Sequence, residues 1–360
     1  MNAAPPSSPA IAAPGPRSAV LPARRSPGLW ALAWARLRRD RVAMVSLAIA
    51  TVFIAVMLAS RLGLVAASWD EEIAVSYASP AFLADAENLE AARSAGIPRP
   101  EAGPPVDISD VDPLAPRYDE WAQRTAALGQ VDSAPLATLP FGADKWGHDV
   151  LMKTIKGSEV SITVGLVAAL LATLFGTLLG AMAGYWGGRV DDVLEWFYNV
   201  FTSIPYILLI LSFAAVLSQG LATIILILGL TGWTGIYRLV RAEYVKHSER
   251  EYVRAAQAIG TSHLSRMFVH ILPNASHVVL VQFSQHVVQF IKAEVILSFL
   301  GFGVPVNMVS WGTMLGEAQE ELVIGKWWQL TAAGLSMAVL VTAISLLTDA
   351  MRDALDPKIR

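Results

Sequence analysis

Long apolar runs recur along the chain, separated by stretches in which charge, glycine and proline concentrate. Val42 to Ser60 is nineteen residues without a charge, and Ile162 to Ala183, Val200 to Leu217, Leu221 to Val240, Ala275 to Leu300 and Trp327 to Leu347 follow it. A helix rising about 1.5 Å per residue crosses a hydrocarbon core of about 30 Å in roughly 20 residues. The pattern therefore predicts an all-α polytopic membrane protein with six transmembrane helices. The first run exceeds the roughly 7 to 15 apolar residues of a cleaved signal core, so a retained first helix is expected.

Composition agrees with a membrane chain: of 360 residues, 54% are hydrophobic and 16% charged, and the mean hydropathy is +0.48. Cysteine is absent, which excludes disulfides and thiolate metal ligands. No catalytic residue and no metal site is expected. The expected surroundings are membrane lipid, not nucleic acid.

Charge is unevenly placed. Met1 to Arg41 carries seven Arg against the single acid Asp40, whereas Arg61 to Gly157 carries fifteen Asp or Glu against eight Lys or Arg. Basic residues beside spans favour the cytoplasmic side, so Arg36, Arg38, Arg39 and Arg41 are expected to hold the N-terminus there. Six spans then return the C-terminus to the same side. On that topology Arg241, Lys246, Arg250, Arg254 and Arg266 fall inside, as do Arg352, Lys358 and Arg360, and Glu317, Glu320 and Glu321 fall outside.

The organisation expected is a cytoplasmic segment 1–41, a first transmembrane helix 42–60, an extracytoplasmic insertion 61–157, a core transmembrane domain 158–350 with a cytoplasmic loop 241–274, and a cytoplasmic tail 351–360. The middle of the insertion, as in "RPEAGPPVDISDVDPLAP", is too poor in apolar residues to bury a core and reads as loose. Its end sets Val150, Leu151 and Ile155 against Lys153 and Lys156, which predicts an amphipathic helix lying along the outer membrane face.

Two spans carry further signals. Ala168, Ala172, Gly176, Gly180 and Gly184 recur every four residues in the second, a ridge of small side chains that lets another helix approach closely. In the fifth, Gln282, Gln285, Gln289 and Lys292 fall at spacings of three and four, with His286 beside them. Polar groups at that depth are costly, so this face is a candidate lining for a solute pathway or a set of interhelical hydrogen bonds.

Between the fourth and fifth runs stands "EYVRAAQAIGTSHLSRMFVHILPN", Glu251 to Asn274. Its first part is helix-forming, with small faces at Ala255, Ala256 and Ala258 suited to close approach of another surface. Gly260 suits the left-handed residue that ends a helix, and Thr261 or Ser262 can cap the next. Pro273 is expected to stop that second helix before the fifth span. A bland alternative is an interfacial helix held to headgroups by Arg250, Arg254 and Arg266.

This stretch resembles the EAA loop of inner-membrane permease subunits of ATP-binding-cassette importers. Ala255, Ala256, Gly260, Leu272 and Pro273 match its pattern, while Arg254 stands in place of its Glu and His270 in place of its Ile. "FGADKWGHDVL" is similar to the Gly-Thr-Asp-x-x-Gly-Arg-Asp stretch of the peptide and nickel subfamily, departing at Ala143 and His148. "AGYWGGRVDD", "SFLGFG", "SWGTML" and the terminal "DALDPKIR" resemble further signatures of its C-type subunits, and together the matches cover most of Pro140 to Arg360.

The resemblance implies a type I ABC importer permease fold in the bacterial cytoplasmic (inner) membrane, multi-pass, and a non-catalytic subunit without a cofactor of its own. It implies a heterodimer with a second homologous permease, two ABC ATPase subunits that hold ATP and Mg, and an extracytoplasmic solute-binding protein. The ATPase-coupling loop would then be carried by Tyr252, Arg254, Ala255, Ala256, Gly260, Leu272 and Pro273. In agreement, the chain has no G-x-x-x-x-G-K-[ST] stretch to cradle nucleotide phosphates.

The solutes implied are peptides or peptide-like molecules, with nickel chelates or peptide antibiotics as alternatives within the subfamily. An ion-coupled secondary carrier is a reading from another class, for which Lys292 and Glu294 would be the ionisable pair. A membrane anchor for the acidic insertion is a third.

Overall fold

The computed structural model describes residues 29–83, 117–128, 136–305 and 307–355. The N-terminal 28 residues, the middle of the insertion and the end of the terminal "DALDPKIR" lie outside the described residues. Helix α1 (Leu29–Leu37) precedes α2 (Arg41–Arg61), whose N-terminus is capped by Asp40 accepting from the N–H of Val42 at 2.8 Å. Strand β1 (Ala74–Pro80), helix α3 (Tyr118–Leu128) and strand β2 (Leu136–Leu139) belong to the insertion. There follow α4 (Val150–Trp186), α5 (Gly188–Thr202), α6 (Tyr206–Val216), α7 (Leu221–Thr231), α8 (Thr234–Ser248) and α9 (Glu251–Ala258). Helices α10 (His263–Phe299), α11 (Trp311–Val323) and α12 (Trp328–Leu355) complete the order.

Five of these segments are long and apolar enough to cross a bilayer: α2, α4, α7 with α8, α10 and α12. The bent pair α5 and α6 passes the same test only when taken together, which gives five spans or, with that pair counted as one, six, and it is not the straight helix expected over Val200 to Leu217. It breaks between Thr202 and Tyr206 with an 80° bend. Pro205 has no N–H to donate and its ring clashes with the preceding helical turn, which accounts for the break.

The segment expected to lie as a separate amphipathic helix on the outer face is instead the first turns of α4, a continuous helix of 37 residues. Periodicity placed Lys153 on a solvated face. It is 3% exposed, because carboxylates on two other elements reach it.

The insertion also contributes structure that its composition conceals. Strands β1 and β2 pair in parallel, with Ala74 opposite Leu136 and Pro80 opposite Leu139. They lean on the loop before α4, where the Ala143 N–H donates to Ala78 at 2.8 Å and Trp328 Nε1 donates to the Ala143 carbonyl at 2.7 Å.

The main core lies where α4, α7, α10, α11 and α12 meet, around Ile162, Leu228, Phe290, Ile291 and Trp311. The small-residue ridge of α4 is a packing face, as its spacing predicts. A Cβ at Gly180 would come within 2.6 Å of the Tyr237 carbonyl, and one at Gly184 within 2.5 Å of the Arg241 carbonyl. The repeat of four on α4 thus meets a repeat of four on α8, backbone to backbone, the geometry by which membrane helices gain dispersion contact.

Candidate functional site

At the end of the bundle where α8 finishes, the chain bends through Gly260. Its φ is +81°, and a side chain there would meet nothing within 4 Å, so the demand for glycine comes from the backbone angle, not from crowding. The Gly260 N–H donates to Gln257 at 3.0 Å and the Thr261 N–H to Ala256 at 3.1 Å, the paired bonds of a left-handed helix end. Ser262 then caps the next helix, its hydroxyl accepting from the Ser265 N–H at 3.2 Å. The angle between α9 and α10 is therefore fixed by local hydrogen bonds.

The bend is also seated on the membrane helices. Val253 of α9 packs with Tyr244 of α8 and with Met267 and Ile271 of α10, and Tyr244 Oη donates to the Met267 carbonyl at 3.1 Å. This overturns part of the surface expected from sequence: Ala256 is 5% exposed and faces the chain's own core. Ala255 and Ala258, on the outer side, are the small residues open to a partner. Beside them Ile259, Leu264 and Val269 are exposed at 81%, 61% and 64%, with Tyr252 and Phe268 at 38% each. Arg254 is exposed as well.

Pro273 does not stop the second helix. The chain runs from His263 to Phe299 without interruption, passing the proline through a π-helical turn at Arg266–Ile271. In that turn the Leu272 N–H donates to Met267, five residues back. The wider turn removes the clash that a proline would make in regular α geometry. Leu272 is half-buried and Pro273 exposed. Arg266, expected among the headgroup-binding arginines, is 7% exposed and lies over the Tyr185 ring at 5.9 Å.

Further along α10 the polar face opens into a cleft of about 300 Å³ against α12, lined by Gln285, Gln289 and Lys292 and by Ser345, Thr348 and Asp349. Gln282 is half-buried a turn away, near the site a Cβ on Gly235 would occupy. Gln289, Lys292 and Asp349 are exposed within spans. Asp349 is not among the residues the sequence pattern singles out, because it lies just beyond the apolar run that ends at Leu347. Lys292 and Glu294 are not a pair: Glu294 points into the core and accepts from Ser161 at 2.6 Å and Ser298 at 2.7 Å. His286 is buried too, stacked on Phe290.

The opposite end of the bundle carries an ionic cluster that the sequence did not reveal. Lys153 Nζ donates to Asp144 at 2.7 Å and to Glu317 at 2.6 Å. Asp144 also accepts from the N–H groups of Trp146 and His148, at 2.8 and 3.0 Å. Burial by itself would raise the Asp144 carboxyl, but the charge and hydrogen bond of Lys153, with His148, outweigh it and hold the group below its ordinary value. Glu321, 1% exposed, is pushed up to about 7, first by burial and then by the charge of Asp144, with Lys153 pulling the other way. Next to this cluster a cavity of about 430 Å³ opens between Trp69, Trp146, Phe299 and Glu317.

The chain matches the family model described as binding-protein-dependent transport system inner membrane component over residues 176–360, and the model for the N-terminal transmembrane domain of oligopeptide transport permease C over 28–68. It is 34% identical over 247 residues to the oligopeptide transport system permease protein OppC of Bacillus subtilis (strain 168), covering 69% of this chain and 81% of that one. It is 35% identical over 234 residues to the dipeptide transport system permease protein DppC of the same organism, covering 65% and 73% respectively. Among solved structures, an inward-facing conformation of the MetNI methionine ABC transporter aligns at TM-score 0.46 and 18% identity, over 57% of this chain and 96% of that one. By the family model and the identity to these permeases together, the chain belongs to the inner-membrane components of binding-protein-dependent transport systems, in the branch of the peptide permeases.

Proposed function

We propose that the chain is one permease half of an ATP-driven importer for peptides or peptide-like solutes, and that it receives the ATP-driven stroke through the bend at Gly260. The observation that carries the proposal is the combination of rigidity and exposure there. The angle is fixed by Gly260 and Ser262, the inner side is packed on Tyr244 and Met267, and the outer side presents Ile259, Leu264 and Val269 to solvent. An exposed apolar cluster on a fixed scaffold is the form a docking surface takes. A lipid-anchoring helix would expose Arg266, and here that arginine is buried.

The partners follow from this role: a second, homologous permease to complete a heterodimer, two ABC ATPase subunits that bind ATP and Mg, and a solute-binding protein on the outer side. This chain contributes no catalytic residue. Both termini lie in the cytoplasm, on the strength of the arginines around α1 and the basic residues of the 241–274 loop.

The continuity of α10 supplies the mechanism. A push on Leu264 reaches Gln289 along roughly 25 helical residues, about 38 Å, with no hinge other than the π-turn. The cleft lined by Gln285, Gln289, Lys292 and Asp349 then opens or closes as a rigid wall. Gln282 joins the same pathway face. Charged side chains exposed at this depth require water or a partner subunit, which suits a translocation route.

Peptides are favoured over nickel chelates because the relatives above are named as oligopeptide and dipeptide permeases. An ion-coupled carrier is disfavoured because Glu294 is held by two serines, away from Lys292. The test is uptake by the reconstituted complex together with recovery of the ATPase subunits on the permease. Uptake should need ATP and survive collapse of the ion gradient, and Ile259→Asp with Leu264→Asp should release the ATPases. ATP-independent uptake, or full ATPase recovery with normal uptake in that double variant, would overturn the proposal.

A further inference from the structure

We infer that one anionic phospholipid is bound in the groove between α2 and α12, its acyl chain lying between the helices and its phosphate on Arg41. The groove measures about 530 Å³ and is chiefly apolar, walled by Val42, Val45 and Ile49 of α2 and by Ala338, Val339 and Leu346 of α12. From Arg41 to Ile49 it runs along eight residues of α2, about 12 Å at the helical rise, a length suited to an acyl chain and not to a globular partner. The helices touch deeper in, where Ala43 and Ala50 are buried. Ala338 is exposed and small, and it leaves the wall recessed.

Charge selects the headgroup. Arg41 lines the mouth of the groove, and Arg38 and Arg39 stand one turn before it, all three exposed and none in an ion pair among the described residues. The nearby acid, Asp40, is engaged in capping α2. Helix α1 sets the depth. Trp30, Leu32 and Trp34 are exposed at 49%, 46% and 44%, and Arg38 lies over the Trp34 ring at 5.0 Å, the amphipathic character of a helix in the headgroup layer. A lipid phosphate at that level meets the guanidinium of Arg41 while the chain below it enters the groove. Zwitterionic lipid fits the apolar walls equally but gains less from three arginines that have no ion pair among the described residues.

The test uses the transporter purified with its partner subunits and placed in nanodiscs of phosphatidylcholine alone or with phosphatidylglycerol, read by native mass spectrometry and thermal melting. Phosphatidylglycerol should be retained on this subunit and should raise the melting temperature above that in phosphatidylcholine. Arg41→Gln should weaken its retention roughly tenfold, the loss expected for one charge-assisted hydrogen bond. Ala338→Trp, which fills the groove without altering charge, should abolish the same preference. Equal retention of the two lipids by the unaltered protein would overturn the inference. So would a preference that survives both substitutions, or one that Arg41→Gln removes while Ala338→Trp leaves it intact, since the headgroup would then sit on surface arginines with no chain in the groove. Absence of any retained lipid, with the groove covered by the second permease, would overturn it as well.

Discussion

Arg241 holds Asp191 with two parallel hydrogen bonds, Nε to Oδ1 at 2.6 Å and a terminal guanidinium nitrogen to Oδ2 at 2.7 Å. The pair joins α8 to the first turn of α5. It thereby ties the broken third span to the helix whose end seats α9. Arg241→Lys keeps the charge and loses the fork. Because the two side chains are 33% and 21% exposed, solvent screening keeps the expected loss of stability near 1 kcal/mol. The larger effect should fall on coupling, with less solute moved per ATP hydrolysed. An unchanged ratio of uptake to hydrolysis in Arg241→Lys would show that this pair is a local clamp only.

Gly180→Val places two methyl groups where a bare Cβ already lies 2.6 Å from the Tyr237 carbonyl. Backbone cannot yield as a flexible side chain can, so α4 and α8 must separate. Overpacking of this kind costs about 1–3 kcal/mol or more, and the variant should appear in the membrane at reduced level with a lowered melting temperature. Gly325→Ala is a contrast: no atom lies within 4 Å of the added Cβ, and only the φ of +80° opposes it. Equal melting temperatures for Gly180→Val and the unaltered protein would disprove the close packing.

The contrast between these glycines also shows what the sequence could and could not disclose. The ridge from Ala168 to Gly184 is periodic within one helix, and Gly260 owes its φ to neighbours on the chain, so both were legible. Lys153 was misplaced because its partners Asp144 and Glu317 lie on other elements, and only the tertiary fold turns an apparently solvated lysine into a buried one. Pro273 misled for a similar reason: a proline ends a regular α-helix, but a π-turn one residue upstream admits it. Asp349 was missed because the span around it continues to Leu355, beyond the apolar run that marks it.

Pro273→Ala tests that π-turn directly. With the ring gone, regular α geometry is open to Arg266–Ile271, and each side chain before the turn would rotate by roughly 100° relative to the span. Tyr244 would lose the Met267 carbonyl to which it donates at 3.1 Å. Stability should change by less than about 1 kcal/mol, since one strain is exchanged for one hydrogen bond. Coupled uptake should fall several-fold nonetheless. Normal coupling together with a helix shown by cysteine crosslinking to have kept its register would mean that the turn does not depend on the proline.

Ala255 and Ala256 separate docking from folding within one turn of α9. Ala256 is 5% exposed, so Ala256→Trp must force a large ring into a closed face and should destabilise the permease by about 1–3 kcal/mol or more. Ala255→Trp points outward and should leave the melting temperature within about 1 °C while weakening recovery of the ATPase subunits. Gly260→Val, forced to φ near +81°, should alter the angle and uncouple hydrolysis from uptake without loss of insertion. If Ala255→Trp instead lowers the melting temperature as far as Ala256→Trp does, the outer side of α9 is not the free surface described.

The Glu321 carboxyl gives the end of the bundle opposite the Gly260 bend a pH dependence of definite sign. Its value in the fold, about 7, stands above the ordinary 4.5, so between those limits the folded protein binds more protons than the unfolded chain. Stability from this group is fully present below about pH 4.5 and is lost as pH rises through 7, a total on the order of 3 kcal/mol. Asp144 works oppositely: its lowered carboxyl supports the fold above its ordinary 3.8 and loses that support in acid, so it is silent over pH 5 to 7.5. Facing Glu321 are Asp144 from the loop before α4, Lys153 from the first turn of α4, Glu317 from α11 itself, and Tyr77 from β1, whose hydroxyl is raised by burial and by the Glu321 charge. The melting temperature of the purified protein should therefore fall between pH 5 and 7.5, and hydrogen exchange in α11 should quicken over the same range. Glu321→Gln, neutral throughout, should flatten both profiles and keep the stability found at low pH. An unaltered slope in Glu321→Gln would assign the titration to another group and leave the buried carboxyl ionised.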